Sequence, residues 1–274
     1  MLHVRKYRQR ERAFLVEGDD LVAAGLAAGL LPEAVFVVGE PGDIAARLAE
    51  SGHPLADAPV YAIDARVAAR LSTLETPPAQ MAVFGLPQAP PLGESRGTAA
   101  ADHALGLVVY ADRLADPGNL GTLVRAAAAF AATALVASPG SVDLFSPKVV
   151  RAGMGAVFGL PLYQDMTLEQ VVGELGARTV YGLVAHGGAP LDGVAQAAPD
   201  AAPTVLVVGA ERAGLSPETL AFVTDLLTIP LAGATGAGVE SLNAGVAGAI
   251  ALYELSRHLA GPARTNDGAG PSKE

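Results

Sequence analysis

Asp116-Pro-Gly-Asn-Leu-Gly-Thr-Leu-Val-Arg125 is the stretch whose reading decides the fold. The apolar run 105–110 leads into it, and the Ala-rich run 120–132 leads out. A buried strand that turns into a helix at this point is the place where open α/β sheets carry ligands. Asp116, Pro117 and Asn119 bring turn and N-cap chemistry. On the helix, Leu120, Leu123, Val124, Ala127 and Ala131 share one face, and Arg125 lies off it. Gly121 stands one turn before Arg125, and helical side chains lean toward the N-terminus. Arg125 is therefore expected to reach over Gly121 to the helix mouth, beside Asn119. A bare helix N-terminus under a guanidinium suits an anionic or polar ligand. An arginine on a solvated helix face is the plainer reading of the same spacing.

Outward from this stretch, the 274 residues alternate strand and helix patterns. Short strands are expected from Phe14, at 34–38, 60–63 and 79–84, with a turn at 39–42 and helices from about 20, at 44–50 and 65–71. The segment 87–104 has linker composition, with three prolines among residues 87–91 and no apolar period. Strands are then expected at 105–110, 133–137, 161–163, 180–186, 204–208 and 226–230. The helices between and after them are expected at about 147–157, 168–175, 218–224 and 241–259. This pattern predicts a small α/β domain over 1–86, a linker at 87–104 and a second α/β domain over 105–260. The second sheet is expected to be mostly parallel and helix-covered, and 261–274 to be a disordered tail. The closing helix is apolar nearly all round. Leu242, Val246, Ala249 and Tyr253 form one stripe, and Ala244, Gly248, Ala251 and Leu255 another. The small-residue stripe is expected to let another backbone, such as a second subunit's, come close; an ordinary core helix is the alternative.

Composition narrows the function. With 51% hydrophobic residues, the chain can build a sizeable core. The absence of cysteine excludes disulfides, Cys-ligated zinc and a Cys nucleophile. Five scattered histidines show no metal-ligand spacing, so no metal is expected. The basic N-terminus does not read as a signal peptide, and the run 241–253 is short of a membrane span. The expectation is a soluble cytoplasmic protein with no membrane partner. Net charge is −10, yet residues 1–12 carry five cations (Arg5, Lys6, Arg8, Arg10, Arg12) against Glu11, or +4, which leaves −14 for the rest. A basic arm on an acidic body can bind phosphate locally; a frayed, solvated terminus is the alternative.

Three glycine-marked loops follow strand ends in the second half: 116–125, Gly209-Ala-Glu-Arg-Ala-Gly-Leu-Ser216, and 229–243. In order and spacing they resemble the three motifs of the SpoU-type RNA ribose 2′-O-methyltransferases of the SPOUT superfamily. The first is Asn119-x-Gly-x-x-x-Arg125, and the second Val207-Val-Gly-x-Glu211-x-x-Gly214-Leu215. The third is Ile229-Pro followed by Ser241-Leu-Asn243. Residues 138–155 are similar to the family's segment between its first two motifs. Tyr7-Arg8, Phe14-Leu-Val-Glu-Gly18 and Leu71-Ser-x-x-Glu-Thr-Pro77 resemble the L30e-like substrate-binding domain often fused in front of these enzymes. The two-domain layout looks more like the 23S rRNA enzymes, including those that confer antibiotic resistance, than the compact tRNA ones.

The resemblance implies a parallel sheet with a deep C-terminal trefoil knot, S-adenosylmethionine as methyl donor, RNA as substrate and a homodimer. Arg125 would act on the ribose hydroxyl, as an electrostatic clamp rather than a base, because arginine stays protonated in proteins. Asn119 would orient the ribose or Arg125, and Glu211 would fix Arg125 or its loop. Ser241 and Asn243 would cap the last helix and hold the hydroxyl side. Gly209, Ala210, Ile229, Leu231 and Leu242 would line the cofactor, and Arg5, Lys6, Arg8, Arg10 and Arg12 would meet RNA. Ala210 stands where many relatives carry Asn, and residues 234–238 lengthen the third loop. Two other classes remain. One is a non-catalytic RNA-binding protein of the same fold. The other is a nucleotide-cofactor oxidoreductase, for which Gly153-Met-Gly155 and Gly236-Ala-Gly238 give only incomplete glycine patterns.

Overall fold

The computed structural model describes residues 1–39, 58–94, 106–196, 203–232 and 240–259. The expected turn at 40–42, the helix at 44–50, most of the linker beyond Glu94, the inserted residues 234–238 and the tail 261–274 lie outside the described residues. Strands run over Ala13–Glu17 (β1), Pro32–Val38 (β2), Val60–Ile63 (β3), Gln80–Gly85 (β4), Leu107–Asp112 (β5) and Ala134–Ala137 (β6). Leu162–Gln164 (β7), Thr179–Leu183 (β8), Ala189–Pro190 (β9), Thr204–Gly209 (β10) and Asp225–Thr228 (β11) follow. Helices cover Arg5–Glu11 (α1), Asp19–Ala27 (α2), Ala65–Leu71 (α3), Pro117–Ala129 (α4), Pro147–Ala152 (α5), Leu168–Leu175 (α6), Pro217–Leu220 (α7) and Ala244–Leu259 (α8). None of the described helices is long and apolar enough to cross a membrane.

Two sheets result. The first has the order β1-β4-β2-β3, with β4 antiparallel to both neighbours. The second has seven strands in the order β7-β6-β5-β10-β8-β11-β9, all paired in parallel. Its central strands are continuous apolar runs buried on both faces, as a helix-covered parallel sheet requires. Because they are parallel, β5, β8, β10 and β11 all end at one sheet margin, at Asp112, Leu183, Gly209 and Thr228.

The two sheets share a core. Phe14 of β1 lies 5.1 Å from Phe145 and 6.1 Å from Phe158, and Phe84 of β4 lies 5.8 Å from Phe158, ring centre to ring centre. The start of the linker is no free tether, because Leu92 is buried with Val171, Leu168 and Tyr110 in the second sheet's other core.

Several elements depart from expectation. The basic N-terminus is a helix, α1, that ends where Arg12 turns left-handed at φ 51°. The helix expected at 147–157 stops at Ala152 and resumes as one 3-10 turn at Ala156–Phe158. Between them Gly155 adopts φ +85°, where an added Cβ would also press on Ala24 of α2. The closing helix begins at Ala244, so Ser241 and Leu242 precede it.

Candidate active site

α4 begins three residues earlier than its apolar pattern suggests, with Asp116 at the N-cap and Pro117 in the first turn. The Asp116 carboxylate accepts the Asn119 backbone N–H at 2.9 Å. The helix mouth is thus already occupied by its own carboxylate and is not a bare anion site. Asn119, in the first turn, is nearly buried and points toward two other loops. Its Nδ2 donates to Glu211 Oε1 at 2.7 Å. Asn243 Nδ2 donates both to Asn119 Oδ1 at 2.7 Å and to Glu211 Oε1 at 2.9 Å. The three glycine-marked loops therefore meet in one triangle of side chains. Asn243 is also the cap of α8: its Oδ1 accepts Val246 N–H at 3.2 Å, and its carbonyl accepts Ala247 N–H at 2.8 Å. Each amide is satisfied from two sides, which fixes it without leaving an orphan polar group.

Beside the triangle lies a cleft of about 150 Å³ at the common strand margin. Its floor is apolar, from Leu183, Val208, Ile229, Leu231 and Leu242; its rim carries Gly209, Ala210, Glu211 and Ser241. All five residues expected to face a cofactor line this cleft. Among the described residues the cleft has no Lys, Arg or His in its lining, and Glu211 is its one charged group. This lining has no described side chain that would offset a pyrophosphate's charge. It suits a neutral or cationic ligand held by backbone groups and apolar contact.

The Glu211 loop is shaped by backbone. Ala210 and Gly214 exchange backbone hydrogen bonds, 3.1 Å for the Ala210 N–H and 2.8 Å for the Gly214 N–H. The loop closes without a side chain at 210, which is why Ala suffices there. Gly209 is glycine for the same closure, since a Cβ there would meet the Gly214 carbonyl oxygen at 2.5 Å. Asp112 holds the far end of the loop: its Oδ2 accepts Ser216 N–H at 2.6 Å, and Ser216 Oγ caps α7 by accepting Thr219 N–H at 3.1 Å. Sequence reasoning missed Asp112. The available signal was a carboxylate placed directly after five apolar strand residues. Burial, with the Asp112 carboxylate nearby, pushes the Tyr110 phenol up to about 12, so it stays a neutral donor to the Met166 carbonyl.

Arg125 is exposed on α4, and no described residue pairs with it. Its expected path over Gly121 is closed. A Cβ at Gly121 would collide with Ala152 and come within 2.8 Å of the Val149 carbonyl oxygen, so this glycine serves the packing of α5 on α4. Glu211 is bound to Asn119 and Asn243 rather than to Arg125.

The N-terminal cations divide. Arg8 is buried and donates to Asp143 Oδ2 at 2.7 and 3.1 Å and to the Leu2 carbonyl at 2.6 Å. It anchors α1 and is not free to meet RNA. Arg5 pairs with Asp165, and Arg10 with Glu11 on the surface. Lys6 and Arg12 are exposed. Asp143 and Asp165 follow β6 and β7, so α1 is pinned to the same margin of the second sheet that bears the triangle.

The small-residue stripe of α8 is spent inside the chain. A Cβ at Gly245 would press on the Asn119 carbonyl at 3.1 Å, and one at Gly248 would press on Leu123 at 2.5 Å. Both glycines pack α8 on α4. The more exposed face is the other one, with Val246, Ile250 and Tyr253 at the surface. Among the described residues, no cluster of His, Asp or Glu could hold a metal.

Comparison with known proteins shows the family. Residues 106–253 match the model of the SpoU rRNA Methylase family, and residues 1–82 match an MRM3-like substrate binding domain. The chain is 33% identical to the 23S rRNA (guanosine(2553)-2′-O)-methyltransferase RlmP of Bacillus subtilis, over 93% of this chain and 92% of that one. It is 29% identical to human mitochondrial rRNA methyltransferase 3, over 94% and 71%. The structure superposes on the SpoU methyltransferase AviRb of Streptomyces viridochromogenes in complex with AdoMet. That match has a TM-score of 0.75 and 27% identity, over 93% and 94% of the two chains. It also superposes on an AdoMet-bound rRNA methyltransferase of Sinorhizobium meliloti, with a TM-score of 0.72 and 28% identity over 94% and 92%.

Proposed function

Since this chain belongs to the SpoU rRNA methylase family, we propose that it is a ribose 2′-O-methyltransferase acting on 23S rRNA with S-adenosylmethionine. The observation that carries the reading is the Asn119–Glu211–Asn243 triangle beside a cleft whose described lining holds no cation. In this reading the cleft residues Gly209, Ala210, Ile229, Leu231 and Leu242 hold the cofactor. The carboxylate of Glu211 at the rim favours a positively charged sulfur. Bound S-adenosylmethionine supplies a methyl group already activated on a sulfonium. The protein's own task is to align a ribose oxygen behind that methyl and to stabilise the charge as the hydroxyl proton leaves.

Asn119 and Asn243 keep the Glu211 loop and the start of α8 in register, with the exposed Ser241 hydroxyl beside them. Arg125 acts as a forked cation on the developing alkoxide and the adjoining phosphate. Its exposure suits a residue that meets RNA from outside the cleft. The membership also implies the C-terminal knot, and the likeness to the Bacillus subtilis enzyme favours a cytoplasmic setting. We assign residues 1–86 to substrate capture and 105–260 to methyl transfer. A homodimer completes the account, with the exposed Val246, Ile250 and Tyr253 as its contact face. Lys6, Arg10 and Arg12, with Arg5 at the edge, present charge to RNA.

Arg125→Ala tests the site. Methyl transfer to ribosomal RNA should fall on the order of 10²-fold or more, the size seen when a transition-state donor is removed. Cofactor affinity by calorimetry should hold. Arg125→Lys should be nearly as slow if the forked donor matters. Activity surviving in the alanine variant would remove Arg125 from the reaction.

A further inference from the structure

The short helix α5 sits between the two domains and touches both by contacts that cannot slide. On one side Gly121 of α4 admits Ala152, with Val149 O at 2.8 Å and Gly153 N at 3.1 Å from where a Cβ would stand. Gly121 is two residues from Asn119. On the other side the Arg151 guanidinium pairs with the Glu17 carboxylate and donates to Thr73 Oγ1 at 2.8 Å. Glu17 ends β1 with its side chain fully buried. It also accepts Ser72 Oγ–H at 2.7 Å, Thr73 N–H at 2.7 Å and Thr73 Oγ1–H at 2.8 Å. One buried carboxylate thus fixes Ser72 and Thr73 of the substrate-binding domain and, through Arg151, the helix packed on Gly121. Domains within a chain move relative to one another unless their interface prevents it. Here a satisfied, half-buried charge network lies across the interface, and removing Arg151 would leave the buried Glu17 carboxylate without its cation.

We propose that Glu17 and Arg151 are a positioning pair for methyl transfer. They set the distance between the RNA held by the first domain and the Asn119–Glu211–Asn243 site, so the target ribose arrives in register. The proposal rests on the RNA 2′-O-methyltransferase reading above. Neither residue touches the reacting atoms in it, and Glu17 cannot touch RNA at all.

The test compares the full-length wild type with Glu17→Gln, Arg151→Ala, the double variant and Arg151→Lys. Each is measured for S-adenosylmethionine affinity, for affinity to a 23S rRNA transcript, for kcat, for the position of the 2′-O-methyl and for thermal unfolding. Both affinities should be unchanged. kcat should fall on the order of 10²-fold, the effect of about 1 Å of misplacement. Methylation should spread to neighbouring riboses, the double variant should be no worse than either single one, and Lys at 151 should restore part of the rate. An effect of Arg151→Ala without one from Glu17→Gln would overturn the proposal in favour of a direct phosphate contact. Unchanged kcat and position in both would overturn it outright. Thr73→Val removes a donor to Glu17 without stranding a charge, and gives the same readout should a charge variant fail to fold. A wild type that methylates no RNA would sink the enzymatic reading instead.

Discussion

At Gly121 a single methyl group would strike Ala152 and the Val149 carbonyl. Gly121→Ala is therefore expected to push α4 and α5 apart and cost about 1–3 kcal/mol, as overpacked cores do. Urea unfolding measures this, and an unchanged midpoint would contradict the packing described. Asn243→Ala removes the donor to both Asn119 and Glu211 and the cap of α8. Loss of the cap alone costs about 1 kcal/mol, while methyl transfer should fall much further than stability. Equal losses in both would mean that Asn243 is only a cap. Asn119, Glu211 and Asn243 were legible as a set only through the resemblance of the three loops to the SpoU motifs, and their bonding to one another was not. Asp112 was not legible either, since a carboxylate at the end of an apolar strand marks a position without naming its partner, Ser216. Arg8 was misread because counting charge gives no direction. Only the fold shows that Asp143 lies under it.

Among the elements, α8 shows best what periodicity can and cannot say. Its two apolar stripes were visible in the sequence, but not which of them meets this chain. The glycine stripe goes to α4, because α8 must approach close to Asn119 and Leu123. The branched and aromatic stripe is left outside, with Tyr253 against Phe130 at 5.6 Å. Val246→Glu with Ile250→Glu should turn a dimer into a monomer in sedimentation and reduce methyl transfer. A wild type that sediments as a monomer would remove the dimer from the account. Most strand positions were legible for a simpler reason: short apolar runs rich in Val and bounded by turn residues favour strand over helix. α1 was missed because its first turn is cationic and carries no apolar stripe, and tertiary ion pairs to Asp143 and Asp165 hold it instead.

For the whole molecule, the division into two sequence units hides a continuous interior. The aromatic contacts of Phe14 and Phe84 with Phe145 and Phe158, and the Glu17–Arg151 pair, join what the linker separates. Glu17 gives this junction a pH signature. Burial pushes its carboxyl up, but hydrogen bonds from Ser72 and Thr73 and the Arg151 guanidinium outweigh that, so the folded value lies below the ordinary one. A depressed carboxyl stabilises the fold at pH above the ordinary glutamate value and loses that contribution as pH falls through the folded value. Unfolding measured across that acid window should show a steeper loss of stability for the wild type than for Glu17→Gln. Identical slopes would mean the pair contributes nothing.

The claim under all of this is that three loops at one sheet margin bring a methyl donor to a ribose oxygen. Incubating the purified protein with 23S rRNA and methyl-labelled S-adenosylmethionine, then digesting and mapping the label, tests it directly. The account predicts label at a single ribose 2′-oxygen, lost in Arg125→Ala. Label on a base, or none transferred while the cofactor binds, would contradict it.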